Sequence, residues 1–281
     1  MTPQFEFDAA SALSKGQRAY QEDALISDFA RGADNGLVVL ADGMGGHAAG
    51  DIASKIVVTE VFSELLFQRA DLDTFSQRVH ESLLCAAMAA NTCLKEHVRA
   101  CPETHGMGAT LVACVVIGDR LHWISIGDSP LYLFRDGVLV QLNEDHSMAP
   151  QIDFMVKSGL MPMEEAARHP DRSTLTSVLF GEDIPKIDCP QDPTALKSGD
   201  IVIVASDGLQ FLSNTQIETE LQRNSHLRSD EIVDLLLHQV TSLDDPDQDN
   251  VSFSVIKMDD SANVGCGAAA DKPQVEIRRV G

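Results

Sequence analysis

The sequence predicts an α+β fold in four layers, a four-layer α-β-β-α sandwich of two antiparallel sheets packed face to face and flanked by helix pairs. Three observations predict it. Apolar runs of strand length follow one another between residues 109 and 140, too closely spaced for the helical crossovers that parallel strands need. Stretches with apolar residues at three- and four-residue steps come in successive pairs, 49–67 with 72–98 and 215–221 with 229–240. Two continuous apolar runs, Leu37-Val38-Val39-Leu40 and Ile201-Val202-Ile203-Val204-Ala205, read as buried strands, and each ends in an Asp-Gly turn.

Taken in order, Phe5, Phe7 and Ala9 alternate with polar residues and predict an opening strand, and Ser14-Lys15-Gly16-Gln17 turns the chain toward Arg18. The strand at Leu37 leads into helices over 49–67 and 72–98, which need a flat surface to cover. Ala109–Ile117, Arg120–Ile126 and Leu131–Phe134 supply it as short strands joined by Gly118-Asp119 and by Gly127-Asp128-Ser129-Pro130. Asp136-Gly137 then makes a hairpin turn into Val138-Leu139-Val140. From 147 to 182 the pattern breaks: Met148, Met155, Met161 and Met163 mix with Glu164-Glu165-Ala166-Ala167 and three prolines, which reads as an inserted helical flap. The strand at Ile201, two helices and a last strand at Val251 close one domain, 1–258, and 259–281 is expected to be a disordered tail.

The chain has 281 residues, enough for one large core. Forty-three acidic against twenty-one basic residues give a net charge of -22, which argues against nucleic-acid and anionic-membrane partners, since both require a basic surface. The opening residues Met1–Phe7 carry neither a basic nor an apolar signal region, and no uninterrupted apolar span is long enough to cross a membrane. The six cysteines form no C-x-x-C pair and sit mostly among Ala, Leu and Val, as reduced buried thiols of a cytoplasmic protein would.

Carboxylates stand at four separate strand ends: Glu22-Asp23, Asp42, Asp207 and Asp249. Gathered in one cleft they would repel one another unless hard cations sat between them, and oxygen ligands of this kind suit Mg or Mn. The expectation is a metal-dependent enzyme.

In sequence order, the chain carries Arg18-Ala19-Tyr20-Gln21-Glu22-Asp23, Ala41-Asp42-Gly43-Met44-Gly45-Gly46-His47, Gly106-Met107-Gly108-Ala109-Thr110-Leu111, Ile126-Gly127-Asp128-Ser129, Asp145-His146-Ser147, Ser206-Asp207-Gly208-Leu209 and Asp249-Asn250-Val251. In these motifs, over residues 5 to 257, it resembles the PP2C, or PPM, family of metal-dependent protein serine/threonine phosphatases, in the bacterial form. The resemblance implies a two-metal site at one end of the sandwich, with two Mn or Mg ions and a third, weaker one. Asp42 would bridge the two ions, Asp207 and Asp249 would complete the ligands of the first, and Glu22 with the Gly43 carbonyl would serve the second. Asp23 would hold a water on the metal, Asp128 with Asp207 the third ion, and Arg18 the substrate phosphate. Met44 stands where animal members place a proposed acid histidine, so the leaving-group acid is unassigned, and His47 and His146 are read as structural. Gln21 replaces the usual Asn, a local departure.

The chemistry agrees with that layout. A phosphate monoester dianion repels an anionic nucleophile, and paired divalent ions offset the repulsion and acidify water, so no side-chain nucleophile is required. The function expected is hydrolysis of phosphoserine and phosphothreonine on phosphoprotein substrates, reversing a cognate serine/threonine kinase, by a cytoplasmic monomer. Lys157, Arg168, His169 and Arg172 form the one basic cluster near the expected cleft, either a phosphopeptide attractor or ordinary helix-surface charge. Two alternatives stand beside this reading: a catalytically weak phosphatase-like binding module, which a lost metal ligand would mark, and a regulatory phosphatase for a small anti-sigma-antagonist protein, against which the long flap argues.

Overall fold

The computed structural model describes residues 5–30, 33–45, 48–260 and 279–280. The strands are β1 (Phe5–Ser14), β2 (Asp23–Asp28), β3 (Asn35–Met44), β4 (Gly108–Ala109), β5 (Leu111–Ile117), β6 (Arg120–Ile126), β7 (Leu131–Arg135), β8 (Val138–Gln141), β9 (Thr194–Ala195), β10 (Ile201–Ala205), β11 (Val251–Asp260) and β12 (Arg279–Val280). The helices are α1 (Ala48–Arg69), α2 (Leu72–Ser76), α3 (Val79–Ala100), α4 (Ala149–Lys157), α5 (Met163–Ala167), α6 (Asn214–Asn224) and α7 (Ser229–Thr241). One sheet runs β12-β1-β11-β10-β7-β8, the other β2-β3-β5-β6-β9, with β4 pairing the end of β3. Pairing is antiparallel except where β12 meets β1.

The continuous apolar runs follow from burial on both faces. In β3, Val38 and Leu40 enter the layer between the sheets while Leu37, Val39 and Ala41 pack under the helices of the second sheet. In β10, Val202 and Val204 enter the same middle layer while Ile201, Ile203 and Ala205 pack against α6 and α7. A strand covered on one face alternates; these two do not, because the four-layer stack leaves neither face to water. Each fully buried Val, Leu or Ile contributes about 1.5–3 kcal/mol of transfer free energy, so the middle layer fixes how the two sheets sit together.

Several expected elements take a different form. The helix expected over 72–98 is two: Asp71 caps the start of α2, and the Gln77 and Arg78 N–H groups turn back to the Thr74 and Phe75 carbonyls (3.3 and 2.9 Å), ending it before α3 begins at Val79. The strand expected from Ala109 is divided at Thr110, whose N–H donates to the Asp42 carbonyl (2.8 Å) while its hydroxyl accepts from the Asp42 N–H (3.0 Å). The last strand runs to Asp260, beyond the boundary expected at 258, because β1 opposite it is long enough to pair as far as Phe5. Arg279–Val280 pairs with Leu13–Ser14, so this part of the segment expected to be disordered is a strand; 261–278 lies outside the described residues.

The segment expected as a flap holds α4 and α5. It is anchored at both ends by isolated bridges, Ser147 with Leu175 and Ala109 with Leu179. Of the basic cluster, Arg172 forms a forked pair with Asp153 (2.7 and 3.2 Å) and is spent within the flap. The cysteine expectation is corrected in part: the five described cysteines are unbridged, but only Cys114 is buried, and Cys85 lies on the outer face of α3. Among the described residues no helix is long and apolar enough to cross a membrane.

Candidate active site

The middle layer is apolar along most of its length and turns polar at one end. Alternation puts Asp42 on the face of β3 that carries Val38 and Leu40, and Asp23, directly opposite Asp42 in the β2–β3 pairing, on the same face as Leu25. Across the layer, Ser206 continues the face of Val202 and Val204 beyond the end of β10, and Ser252 continues that of Ile256 in β11. The other predicted residues join them because β6 ends, and β7, β11 and the turn after β10 begin or end, at this same edge of both sheets. Asp128 sits in the β6–β7 turn, Asp207 opens the 3-10 turn after β10, Asp249 precedes β11 and Glu22 precedes β2.

Two glycines let the turns close. A Cβ on Gly43 would lie 2.0 Å from the Gly50 carbonyl oxygen, and one on Gly208 would lie 1.9 Å from that of Asn250. Both Asp-Gly pairs therefore combine a carboxylate with the only residue that admits a neighbouring backbone at this distance. The Gly43 N–H donates to the Glu22 carbonyl (3.1 Å), tying the Asp42 turn to Glu22.

The electrostatics are those of crowded acids. Burial, assisted by Asp207 and Asp249 and opposed by the neighbouring Ser252 and Ser206 hydroxyls, pushes the Asp23 carboxyl up to about 7. Asp128 is pushed up to about 7 by burial and then by Asp207 and Asp145. Asp42 is held well above the usual carboxylate range by burial and then by Asp23, Asp207 and Asp128. Asp207 is raised by burial and by Asp249, against its hydrogen bond with Asp42 and the positive Arg18. A chain that buries acids this way favours their neutral form until positive charge arrives.

Arg18 supplies some of it. Its Nη2 lies 2.5 Å from Asp249 Oδ2, at the rim, where the arginine side chain is 53% exposed. Deeper in, Asp23 Oδ1 and Asp207 Oδ1 are buried without a hydrogen-bond partner. Orphaned carboxylate oxygens in an all-oxygen donor set fit hard divalent cations such as Mg or Mn. Among the described residues no three Asp, Glu, His or Cys side chains close on one point tightly enough to grip an ion alone, so water and the Gly43 carbonyl would complete its shell.

The sequence reading passed over the residues that hold this set in place. Ser206 Oγ donates to Asp23 Oδ2 (2.8 Å) and accepts from the Ser252 N–H (3.0 Å), bridging the sheets. Asn143 Nδ2 donates to Ser125 Oγ (2.8 Å) and to the Ser129 carbonyl (2.9 Å), fixing the turn that carries Asp128. Their signal was present only as Ser and Asn residues within or near the quoted motifs. His146 is buried, accepts from the Gly127 N–H through Nδ1 (3.3 Å) and joins that turn to the flap base, a structural role as expected. His47 lies outside the described residues.

Two facing, almost wholly antiparallel sheets with outer helix pairs, and an oxygen-donor cluster where both sheets end, define an α+β sandwich whose acidic end fits a divalent cation. Residues 11–244 match the family model for protein phosphatase 2C, and the chain belongs to that family. It is 35% identical over 196 residues to the serine/threonine protein phosphatase PstP of Mycobacterium tuberculosis, 68% of this chain and 34% of that protein, so the chain spans about a third of that relative's length. A putative 2C-type phosphatase of Streptococcus pyogenes is 32% identical over 223 residues, 78% of this chain and 87% of the other. The crystal structure of M. tuberculosis PstP/Ppp is similar with a TM-score of 0.72 at 30% identity, over 90% of this chain and 99% of that one. A PstP catalytic-domain structure in complex with two manganese ions is similar with a TM-score of 0.73 at 30% identity, over 91% and 100%.

Proposed function

We propose that the chain hydrolyses phosphoserine and phosphothreonine on proteins in a reaction that depends on Mn or Mg. The observation that carries the reading is the acidic end of the middle layer, where Asp23 is buried, Asp42, Asp128 and Asp207 are half-buried around it, and one oxygen each of Asp23 and Asp207 is buried without a partner. In this reading Asp42, Asp207, Asp249, Glu22 and the Gly43 carbonyl would together hold two cations. Asp128 with Asp207 would hold a third, weaker ion. When bound, such ions supply charge neutralisation and a more acidic water. Asp23, held through Ser206, orients water at that site. Arg18 at the rim turns its forked donors from Asp249 to the phosphate oxygens and keeps the ester in line for attack. The manganese-bound PstP domain, similar in fold, supports the choice of metal.

The physiological role follows the same reading: a monomer in the cytoplasm that reverses a serine/threonine kinase of the same cell. The binding-module alternative needs a missing ligand, and the sequence carries every residue of the expected set. Purified protein incubated with a phosphothreonine peptide, with Mn2+ and with EDTA, tests the proposal beside a phosphotyrosine control. Metal-dependent release of phosphate from phosphothreonine is the expected result, and Mn2+ binding without release would reassign the chain as a binding module.

A further inference from the structure

We infer that Asn250 is a positioning residue that registers the arm bearing Arg18 against the cation ligands, so that the phosphate grip and the metal site form one assembly. The inference rests on the phosphatase reading of the site.

Asn250 is 4% exposed and uses its whole side chain. Its Oδ1 accepts from the Glu22 N–H (2.7 Å), and its Nδ2 donates to the carbonyls of Lys15 (2.8 Å) and Tyr20 (2.9 Å). Lys15 and Tyr20 bracket the loop that presents Arg18, and Glu22 follows it directly. The Asn250 backbone N–H donates to Asp249 Oδ1 (2.8 Å), leaving Oδ2 to Arg18. On its other side, the Asn250 carbonyl packs so closely on the Asp207 turn that only glycine fits at 208. One buried residue thus touches the loop of Arg18, the backbone of Glu22, the carboxylate of Asp249 and the turn of Asp207.

The loop has few other ties. Gln17 N–H donates to the Gln248 carbonyl (3.0 Å), and Gly16, at φ +58°, brings its backbone against the Asp249 carbonyl, where a Cβ would stand 2.1 Å away. Both contacts reach the segment just before Asn250. No strand pairing holds residues 15–22, so the amide of Asn250, which grips the loop at Lys15, Tyr20 and Glu22, is the buried side chain that ties both of its ends to the carboxylates. An amide is the side chain that does this: one acceptor faces a backbone N–H and two donors face backbone carbonyls, a division that neither Asp nor Leu reproduces.

The test uses Asn250→Asp and Asn250→Ala in the full chain, each alone and combined with Arg18→Ala. Kinetics on a phosphothreonine peptide at saturating Mn2+ are read beside calorimetric Mn2+ titration without substrate. Asn250→Asp keeps the acceptor for Glu22 and loses both donors to the loop, so KM should rise about tenfold with a smaller change in kcat. In the Arg18→Ala background the same change should leave KM where it is, because its effect runs through Arg18. Asn250→Ala also frees Glu22 and should weaken Mn2+ binding by about tenfold, the usual cost of removing a residue that orients a ligand. Equal KM increases in both backgrounds, or unchanged Mn2+ affinity in a folded Asn250→Ala protein, would overturn the inference. If circular dichroism shows Asn250→Ala unfolded, the Asn250→Asp pair decides alone. If the unmodified chain binds Mn2+ but releases no phosphate, the phosphatase reading fails, and the titration still judges the hold on Glu22.

Discussion

The floor and the rim of the acidic site solve the same electrostatic problem in opposite ways. On the floor, Asp23 is buried, Asp42, Asp128 and Asp207 are half-buried, and crowding with partial burial drives their carboxyls toward the neutral form. At the rim, Asp249 meets water and Arg18, and its charge is matched within the chain. The floor is therefore built for a ligand of concentrated positive charge, while the rim carries a cation of its own that can be handed to an anion. An exposed ion pair is worth only about 0–1 kcal/mol, so lending Arg18 to a phosphate costs the fold little. The floor has no such slack.

The largest break in that comparison is Asp42→Asn. Removing the central floor carboxylate should lower kcat/KM by about a thousandfold or more and weaken Mn2+ binding. It should also raise the melting temperature of the metal-free protein near pH 7, because folding no longer has to protonate a crowded carboxyl. A variant with near-normal turnover on a phosphothreonine peptide would remove Asp42 from the site.

Metal removal is the next largest. In the folded, metal-free chain Asp23 and Asp128 hold their protons to about pH 7, whereas in the unfolded chain they ionise near about 4. The folded state then binds more protons than the unfolded one across that window, so its stability is full below the unfolded value and is lost as pH rises through the folded one. Melting curves in EDTA should fall between about pH 4 and pH 7, and millimolar Mn2+ should reverse the loss at neutral pH. A flat profile in EDTA would place these carboxylates outside a coupled cluster.

Arg18→Ala acts at the rim and should be smaller: KM for the peptide rises about tenfold, the worth of a charge-assisted hydrogen bond, with the metal-free melting temperature nearly unchanged. The smallest effect is expected from Ser206→Ala. It leaves Asp23 Oδ2 and the Ser252 N–H without their shared hydroxyl, and urea denaturation should show a loss of about 1–3 kcal/mol with the carboxylates still present.

Much of this was legible along the chain. The runs at Leu37 and Ile201, each ending in Asp-Gly, marked strands that deliver a carboxylate to their own end, and the structure puts both at one edge of the sandwich. The close spacing of Leu111–Ile117, Arg120–Ile126 and Leu131–Arg135 excluded crossovers, and these strands are antiparallel neighbours or lie across the middle layer from one another. Breaks within elements were less legible. Periodicity continues through Gln77 and Arg78, and α2 ends only because the Gln77 N–H bonds back to the Thr74 carbonyl (3.3 Å); the division at Thr110 depends on a partner, Asp42, 68 positions earlier.

The sequence by itself determined the apolar period of each strand and helix, the acidic residues at the strand ends and the glycines that follow two of them. These are local properties, written within a few residues of one another. Only the tertiary structure decided that Asp23 faces Asp42, that Ser206 reaches across the sheets to Asp23, and that Asn250 holds the loop of Arg18. Those contacts join positions as far as 235 residues apart, and they exist because burying both faces of β3 and β10 leaves one way to stack the sheets, which brings their polar ends together.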